Sequence, residues 1–150
     1  MDLDQEYVRR GITEAIFQAK KSLSEGGIPI GSSLYRGSDL VGAGHNKRVQ
    51  MDSAILHGEM DCLQNAGRQR SYRDTVIFST LMPCYMCAGT IVQFEIPTVV
   101  VGESRNFTGA REFMESHEIS VIDLDDLECR EMMEKFIREN HDLWYEDIGK

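Results

Sequence analysis

No stretch of this 150-residue sequence comes near the ~20 consecutive apolar residues that a membrane-crossing helix needs, so no membrane partner is expected. Positive charge is scarce as well: 16 Lys and Arg stand against 25 Asp and Glu, a formal net charge of −9. Between 111 and 150 there are thirteen acidic and five basic residues, so −8 of the −9 lies in that part, where it reads as solvated helix faces. Proteins that hold polynucleotides turn a basic face to the phosphates, and this balance speaks against a nucleic-acid partner. The N-terminal Met1-Asp2-Leu3-Asp4-Gln5-Glu6 is acidic where a secretion signal would be basic, and no apolar segment follows it. Cysteine is limited to Cys62, Cys84, Cys87 and Cys129, and without a secretion signal a disulfide framework is not expected. Repeats, linkers and low-complexity tracts are absent too. What is present is ordinary for a soluble domain: 41% hydrophobic and 27% charged residues. A single cytoplasmic domain over residues 1–150 is the expectation.

Hydrophobic spacing orders the chain. Leu3, Tyr7, Val8, Ile12, Ala15, Ile16, Ala19 and Leu23 form a helical stripe over 3–24, stopped by Gly26-Gly27 and Pro29. Pro29–Arg36 and Leu40–Gly44 flank the turn residues Gly37-Ser38-Asp39 and read as a hairpin. A polar loop leads to a helix from about Ser53 or Ala54 to Ala66. Thr75–Thr80, Thr98–Gly102 and Ile119–Leu124 read as buried strands. Helices are expected from Pro83 to Phe94, near 110–116 and over about 126–139. The tail from His141 to Lys150 carries Leu143, Trp144, Tyr145 and Ile148, too apolar to stay in water. An antiparallel hairpin followed by strands that alternate with helices predicts an α/β fold. It should be a three-layer α/β/α sandwich with a central mixed five-stranded sheet, hairpin first and parallel strands after. Ligands bind beyond the carboxyl ends of parallel strands, and two chemical motifs fall there.

Those motifs are His57-Gly58-Glu59 and Pro83-Cys84-Tyr85-Met86-Cys87. His57, Cys84 and Cys87 are three zinc-type ligands, and three ligands leave a tetrahedral Zn²⁺ one open position. A water held there ionises near neutral pH, and Glu59 is a spare carboxylate beside it. Helix N-termini at both motifs favour thiolate over thiol. Cys84-x-x-Cys87 alone also fits a redox pair, although His57 and Glu59 would have no part in that chemistry. A closed structural zinc needs a fourth ligand. Only His45, Cys62 and Cys129 are candidates, and Cys62, five residues past His57 on a helix, points away from it. Cys62 and Cys129 read as small core residues, and His45, His117 and His141 as ordinary polar residues.

Gly44-His45-Asn46, His57-Gly58-Glu59 and Pro83-Cys84-x-x-Cys87 together resemble the cytidine/deoxycytidylate deaminase superfamily. The likeness is nearest to its yeast-type free-base cytosine deaminases. It rests there on Glu25-Gly26-Gly27-Ile28-Pro29-Ile30-Gly31, Val101-Gly102-Glu103 with Asn106-Phe107, and Trp144-Tyr145-Glu146-Asp147-Ile148-Gly149. The resemblance implies one Zn²⁺ per subunit on His57, Cys84 and Cys87, with water or hydroxide as fourth ligand. It also implies hydrolysis of free cytosine to uracil and ammonia in pyrimidine salvage, hydroxide attacking C4. Glu59 would take the water's proton, pass it to N3 and later help protonate the leaving amine. Asn46 and the Gly58 N–H would hydrogen-bond the ring edge, and Phe107 and Trp144 would stack on the base. Asp147 would supply a polar contact, and Ile30, Leu81 and Met82 would line the pocket. A C-terminal helix would cap the site and leave no room for a ribose, and the protein would be a homodimer.

On residue type alone, Asn46 equally suits a turn, Phe107 and Trp144 a core, and Asp147 the surface. Met82, Val49, Tyr85 and Ala88 depart from the yeast-like pattern. The substrate therefore stays open between cytosine and another small amino-heterocycle such as creatinine, isocytosine or guanine. A tRNA adenosine deaminase and a non-catalytic zinc module are the remaining readings.

Overall fold

In the computed structural model, which describes residues 3–150, Asp4 starts the first helix: its side chain accepts the Tyr7 N–H at 2.8 Å. The chain then runs α1 (Gln5–Ser24), β1 (Gly31–Arg36), β2 (Asp39–His45), α2 (Gly58–Ala66), β3 (Thr75–Leu81) and α3 (Tyr85–Gln93). It continues with β4 (Thr98–Glu103), α4 (Arg111–Ser116), β5 (Ser120–Asp123), α5 (Leu127–Glu139) and α6 (His141–Asp147). The sheet order is β2-β1-β3-β4-β5. β1 pairs antiparallel with both β2 and β3, while β3, β4 and β5 are parallel. The expected mixed five-stranded sheet is the one observed.

Strand alternation builds a core on each face. Leu34, Ile77, Val99, Val101 and Val121 pack with Cys62 and Leu63 of α2, Ala88 and Ile91 of α3 and Met114 of α4. Their neighbours Tyr35, Val76, Phe78 and Val100 face the other way, onto Ile12, Ala15 and Ile16 of α1 and Cys129 of α5. Tyr7, Tyr35 and Phe78 pack mutually there, ring centroids 5.6–5.9 Å apart. The layer of α1 against β1 is close enough to dictate a residue. A Cβ at Gly31 would fall 2.0 Å from the Ala15 carbonyl oxygen, so only glycine fits. A third cluster closes the sheet end where β3 stops: Ile28, Ile30, Leu81, Met133, Phe136 and Trp144, with Phe107 and Ile148 against it.

Two helix starts differ from expectation, both with consequence. α2 begins at Gly58 and not near Ser53, because the Ser53 hydroxyl accepts the Ile55 and Leu56 N–H groups in a local turn. His57 is thus the N-cap of α2 rather than part of its first turn. α3 begins at Tyr85 and not at Pro83, whose carbonyl is taken by the Ala110 N–H at 2.9 Å; Cys84 becomes its N-cap. The short β1 likewise starts at Gly31, two residues past Pro29. Among the described residues no helix is long and apolar enough to cross a membrane.

Candidate metal centre and substrate pocket

His57 and Cys84, each the residue before a helix, meet at the sheet end with His57 Nδ1 3.4 Å from Cys84 Sγ. Cys87, one turn into α3 and buried, joins them: the three donor atoms all lie within 4.8 Å of one another. A nitrogen and a sulfur bound tetrahedrally to one Zn²⁺ would stand about 3.6 Å apart, given bond lengths of about 2.0 and 2.3 Å. The donor set and its spacing fit zinc. His57 Nε2 faces away from the thiols and lies 3.4 Å from Asp147 Oδ1, the carboxylate support that metal-bound imidazoles commonly have.

The electrostatics suit metal capture. Hydrogen bonding from Cys87 drops the Cys84 thiol to about 4, against the effect of burial and with help from His57. Burial alone would lower His57; the hydrogen bond to Cys84 and the negative Asp147, Glu59 and Cys84 outweigh it and lift the imidazole to about 9. Cys87 is pushed well up, first by Cys84 and then by burial. A dication on these ligands would displace the protons of the Cys87 thiol and the His57 imidazolium. Glu59, 4% exposed, is raised to about 7, mainly by burial and then by the Cys84 charge. Zn²⁺ beside it would pull that value back down, since an opposite charge favours the carboxylate.

Beside the ligands is a small cavity of about 10 Å³, lined by Ile30, His57, Glu59, Leu81, Met82, Cys84, Phe107, Trp144, Asp147 and Ile148. That is room for one water. Trp144 stands edge-on to Phe107, centroids 5.8 Å apart and planes at 88°. Asn46, fully buried, donates from Nδ2 to Asp147 Oδ1 at 2.9 Å and accepts the Arg48 N–H on Oδ1 at 3.0 Å. Asn46 therefore does form a local turn, and it also holds α6. Gly58 opens α2 between His57 and Glu59. Of the residues expected at the site, Ile30, His57, Glu59, Leu81, Met82, Cys84, Phe107, Trp144 and Asp147 line the cavity, while Asn46, Gly58 and Cys87 do not line it and only adjoin residues that do. Ile148 was anticipated only as part of an apolar tail, and its place on the cavity wall is set by how α6 packs. His45 is no ordinary surface histidine: 3% exposed, it sits 3.1 Å from Gln18 Oε1 and 2.9 Å from Glu25 Oε1. Cys62 and Cys129 are buried core thiols, far from the centre in role.

The sequence profile of the cytidine and deoxycytidylate deaminase zinc-binding region matches residues 4–103, a span that contains all three ligands and Glu59. The chain belongs to the cytidine and deoxycytidylate deaminase family. Its chemistry is zinc-dependent hydrolysis of a C–N bond. Among relatives of this deaminase, the cytosine deaminase of Candida albicans is 48% identical over 95% of this chain and 97% of its own. A tRNA-specific adenosine deaminase of Streptococcus pyogenes is 33% identical over 86% of this chain and 89% of its own. Solved structures share the fold at low identity. A guanine deaminase from Nitrosomonas europaea superposes with a TM-score of 0.73 at 14% identity, over 90% of this chain and 93% of that one. The dCMP deaminase of cyanophage S-TIM5 gives 0.66 at 16% identity, over 81% and 100%.

Proposed function

We propose that residues 1–150 act as one deaminase domain that hydrolyses free cytosine to uracil and ammonia. The observation that carries this reading is α6, which lays Trp144, Asp147 and Ile148 against the metal centre, where they would enclose a small base. The 48% identity to a cytosine deaminase over nearly the whole chain supports the same base. His57, Cys84 and Cys87 would hold the zinc, which when bound supplies a hydroxide nucleophile at neutral pH. Glu59 takes the proton from the attacking water, hands it to N3, and carries a proton to the exocyclic nitrogen as C4–N breaks and ammonia leaves. A buried carboxylate two residues from a metal ligand and on the cavity wall suits that two-way traffic. Asn46 and the Gly58 N–H hold the polar edge of the ring, Asp147 orients Asn46 and His57, and Phe107 and Trp144 pack against the base. Ile30, Leu81 and the fully buried Met82 shape the wall.

A groove of about 870 Å³ between α2, the 67–73 loop and α3 holds none of the ligands. It is bordered by the exposed Ile55 and Phe94 beside Arg68, Arg70, Arg73 and Glu95, and this mixed face is where a homodimer would form. Four free thiols, one of them a low-pKa metal ligand, favour the reducing cytoplasm. The function is tested with zinc-loaded protein and cytosine, guanine, isocytosine, creatinine and an adenosine-bearing tRNA hairpin, following ammonia and base absorbance. Turnover of cytosine well above the others is expected; a metal-loaded protein inert to cytosine overturns the reading.

A further inference from the structure

Asn46 sits between two residues that reach the same carboxylate. Asp61, in the first turn of α2 and 1% exposed, accepts the His45 backbone N–H on Oδ2 at 3.0 Å. Its Oδ1 accepts Lys47 Nζ at 3.0 Å, and Asn65 Nδ2 lies 3.4 Å from Oδ2. The Asp61 N–H in turn donates to the His57 carbonyl at 2.9 Å. The end of β2 approaches this carboxylate as nearly as a glycine permits: a Cβ on Gly44 would fall 2.5 Å from Asp61 Oδ2. One buried carboxylate therefore ties the chain on both sides of Asn46 to the helix turn that bears His57 and Glu59. The Asn46 backbone is held from its other sides by the Ile30 carbonyl at 2.9 Å and the Ser22 hydroxyl at 2.8 Å. Neither Asp61 nor Asn46 lines the small cavity itself, but Asn46 adjoins it through Asp147, whereas the Asp61 side chain bonds to His45, Lys47 and Asn65.

We propose that Asp61 is a positioning residue for this deaminase. With Lys47 it clamps both neighbours of Asn46 and keeps that amide in register with the zinc ligands and Glu59. The inference rests on the reading that Asn46 contacts the base. The charge matters as well as the shape. An asparagine at 61 can turn its oxygen to the His45 N–H only by turning its NH₂ toward the Lys47 ammonium, leaving two donors face to face.

The experiment uses the full-length zinc-loaded enzyme. Asp61→Asn is expected to raise KM for cytosine about 10-fold, the worth of one charged hydrogen bond, with zinc content unchanged. Lys47→Met alone raises KM less. Combined with Asp61→Asn it restores part of the loss, because the facing ammonium is gone. In an Asn46→Ala background Asp61→Asn adds nothing, since the residue it positions is missing. Effects that multiply in that background overturn the proposal, as does a wild-type KM accompanied only by lower Tm or lost zinc. Amide exchange at His45, read without substrate, separates this proposal from the substrate assignment. Faster exchange in Asp61→Asn upholds the clamp whatever base is turned over, and unchanged exchange overturns it.

Discussion

Asp147→Ala should unlatch α6, and the one tryptophan of the chain reports it. Asp147 is 8% exposed, and its Oδ1 serves two partners, Asn46 Nδ2 at 2.9 Å and His57 Nε2 at 3.4 Å. Alanine leaves the buried Asn46 donor without an acceptor whenever the helix is seated, at about 1–3 kcal/mol. The longer charge contact with His57 adds about 1 kcal/mol, so seating weakens by about 2–4 kcal/mol. The ratio of open to closed helix then rises roughly 30- to 900-fold. Such an opening matters because a 10 Å³ cavity admits no pyrimidine while α6 stays down. Trp144 is the only tryptophan and is 4% exposed against Phe107. Its emission should shift to the red, and acrylamide should quench it more strongly, in the variant than in the parent. Glu146→Gln, which removes only the surface ion pair with Arg48 at 3.4 Å, should change quenching little, since exposed pairs are worth ~1 kcal/mol or less. Wild-type emission and quenching in Asp147→Ala would refute the latch.

Three more perturbations test other parts of the molecule. Glu59→Gln keeps the volume but not the proton carrier, so kcat for cytosine should fall at least ~10²–10⁴-fold with zinc bound normally; metal analysis with steady-state kinetics checks it. Gly31→Ala puts a methyl 2.0 Å from the Ala15 carbonyl and forces α1 off the sheet, so Tm should drop by several degrees in a calorimetric scan. Asp126 caps α5 by accepting the Cys129 N–H at 3.1 Å; Asp126→Ala should cost about 1 kcal/mol in urea unfolding, and Asp126→Asn less. Burial alone would raise the Asp126 carboxyl, but the Cys129 amide and thiol and the Arg9 guanidinium outweigh it and hold it below the ordinary range. A depressed folded pKa stabilises above the unfolded value of about 3.9 and loses that stability as pH falls through the folded value. The gap between Asp126→Ala and the parent should therefore persist from pH 7 to about 5 and shrink below 4.

The chemistry of this site was legible in the sequence because it depends on residue type at short spacing. His57-x-Glu59 and Cys84-x-x-Cys87 each fit one turn of chain, so each motif declares its role before any folding. The sheet was legible for a similar reason: the continuous apolar, β-branched runs Thr75–Thr80 and Thr98–Gly102 are local features, and β3 and β4 are buried on both faces. The positions of the two helix starts were not. They depend on where the Ser53 hydroxyl and the Pro83 carbonyl find partners, and Pro83 finds Ala110, twenty-seven residues away. The same holds for His45, which looks like a surface histidine until α1 supplies Gln18 and the turn after it supplies Glu25.

The sequence by itself determined the zinc-type ligand set, the carboxylate proposed as proton carrier and the order of strands and helices, since each follows from neighbours along the chain. Only the tertiary structure decided that Asn46 holds α6 through Asp147, that Ile148 joins the pocket wall and that Asp61 grips both sides of Asn46. Those are contacts between segments 14 to about 100 residues apart. No local pattern encodes which buried donor meets which acceptor; the packing of α1, α2 and α6 around the end of the sheet does.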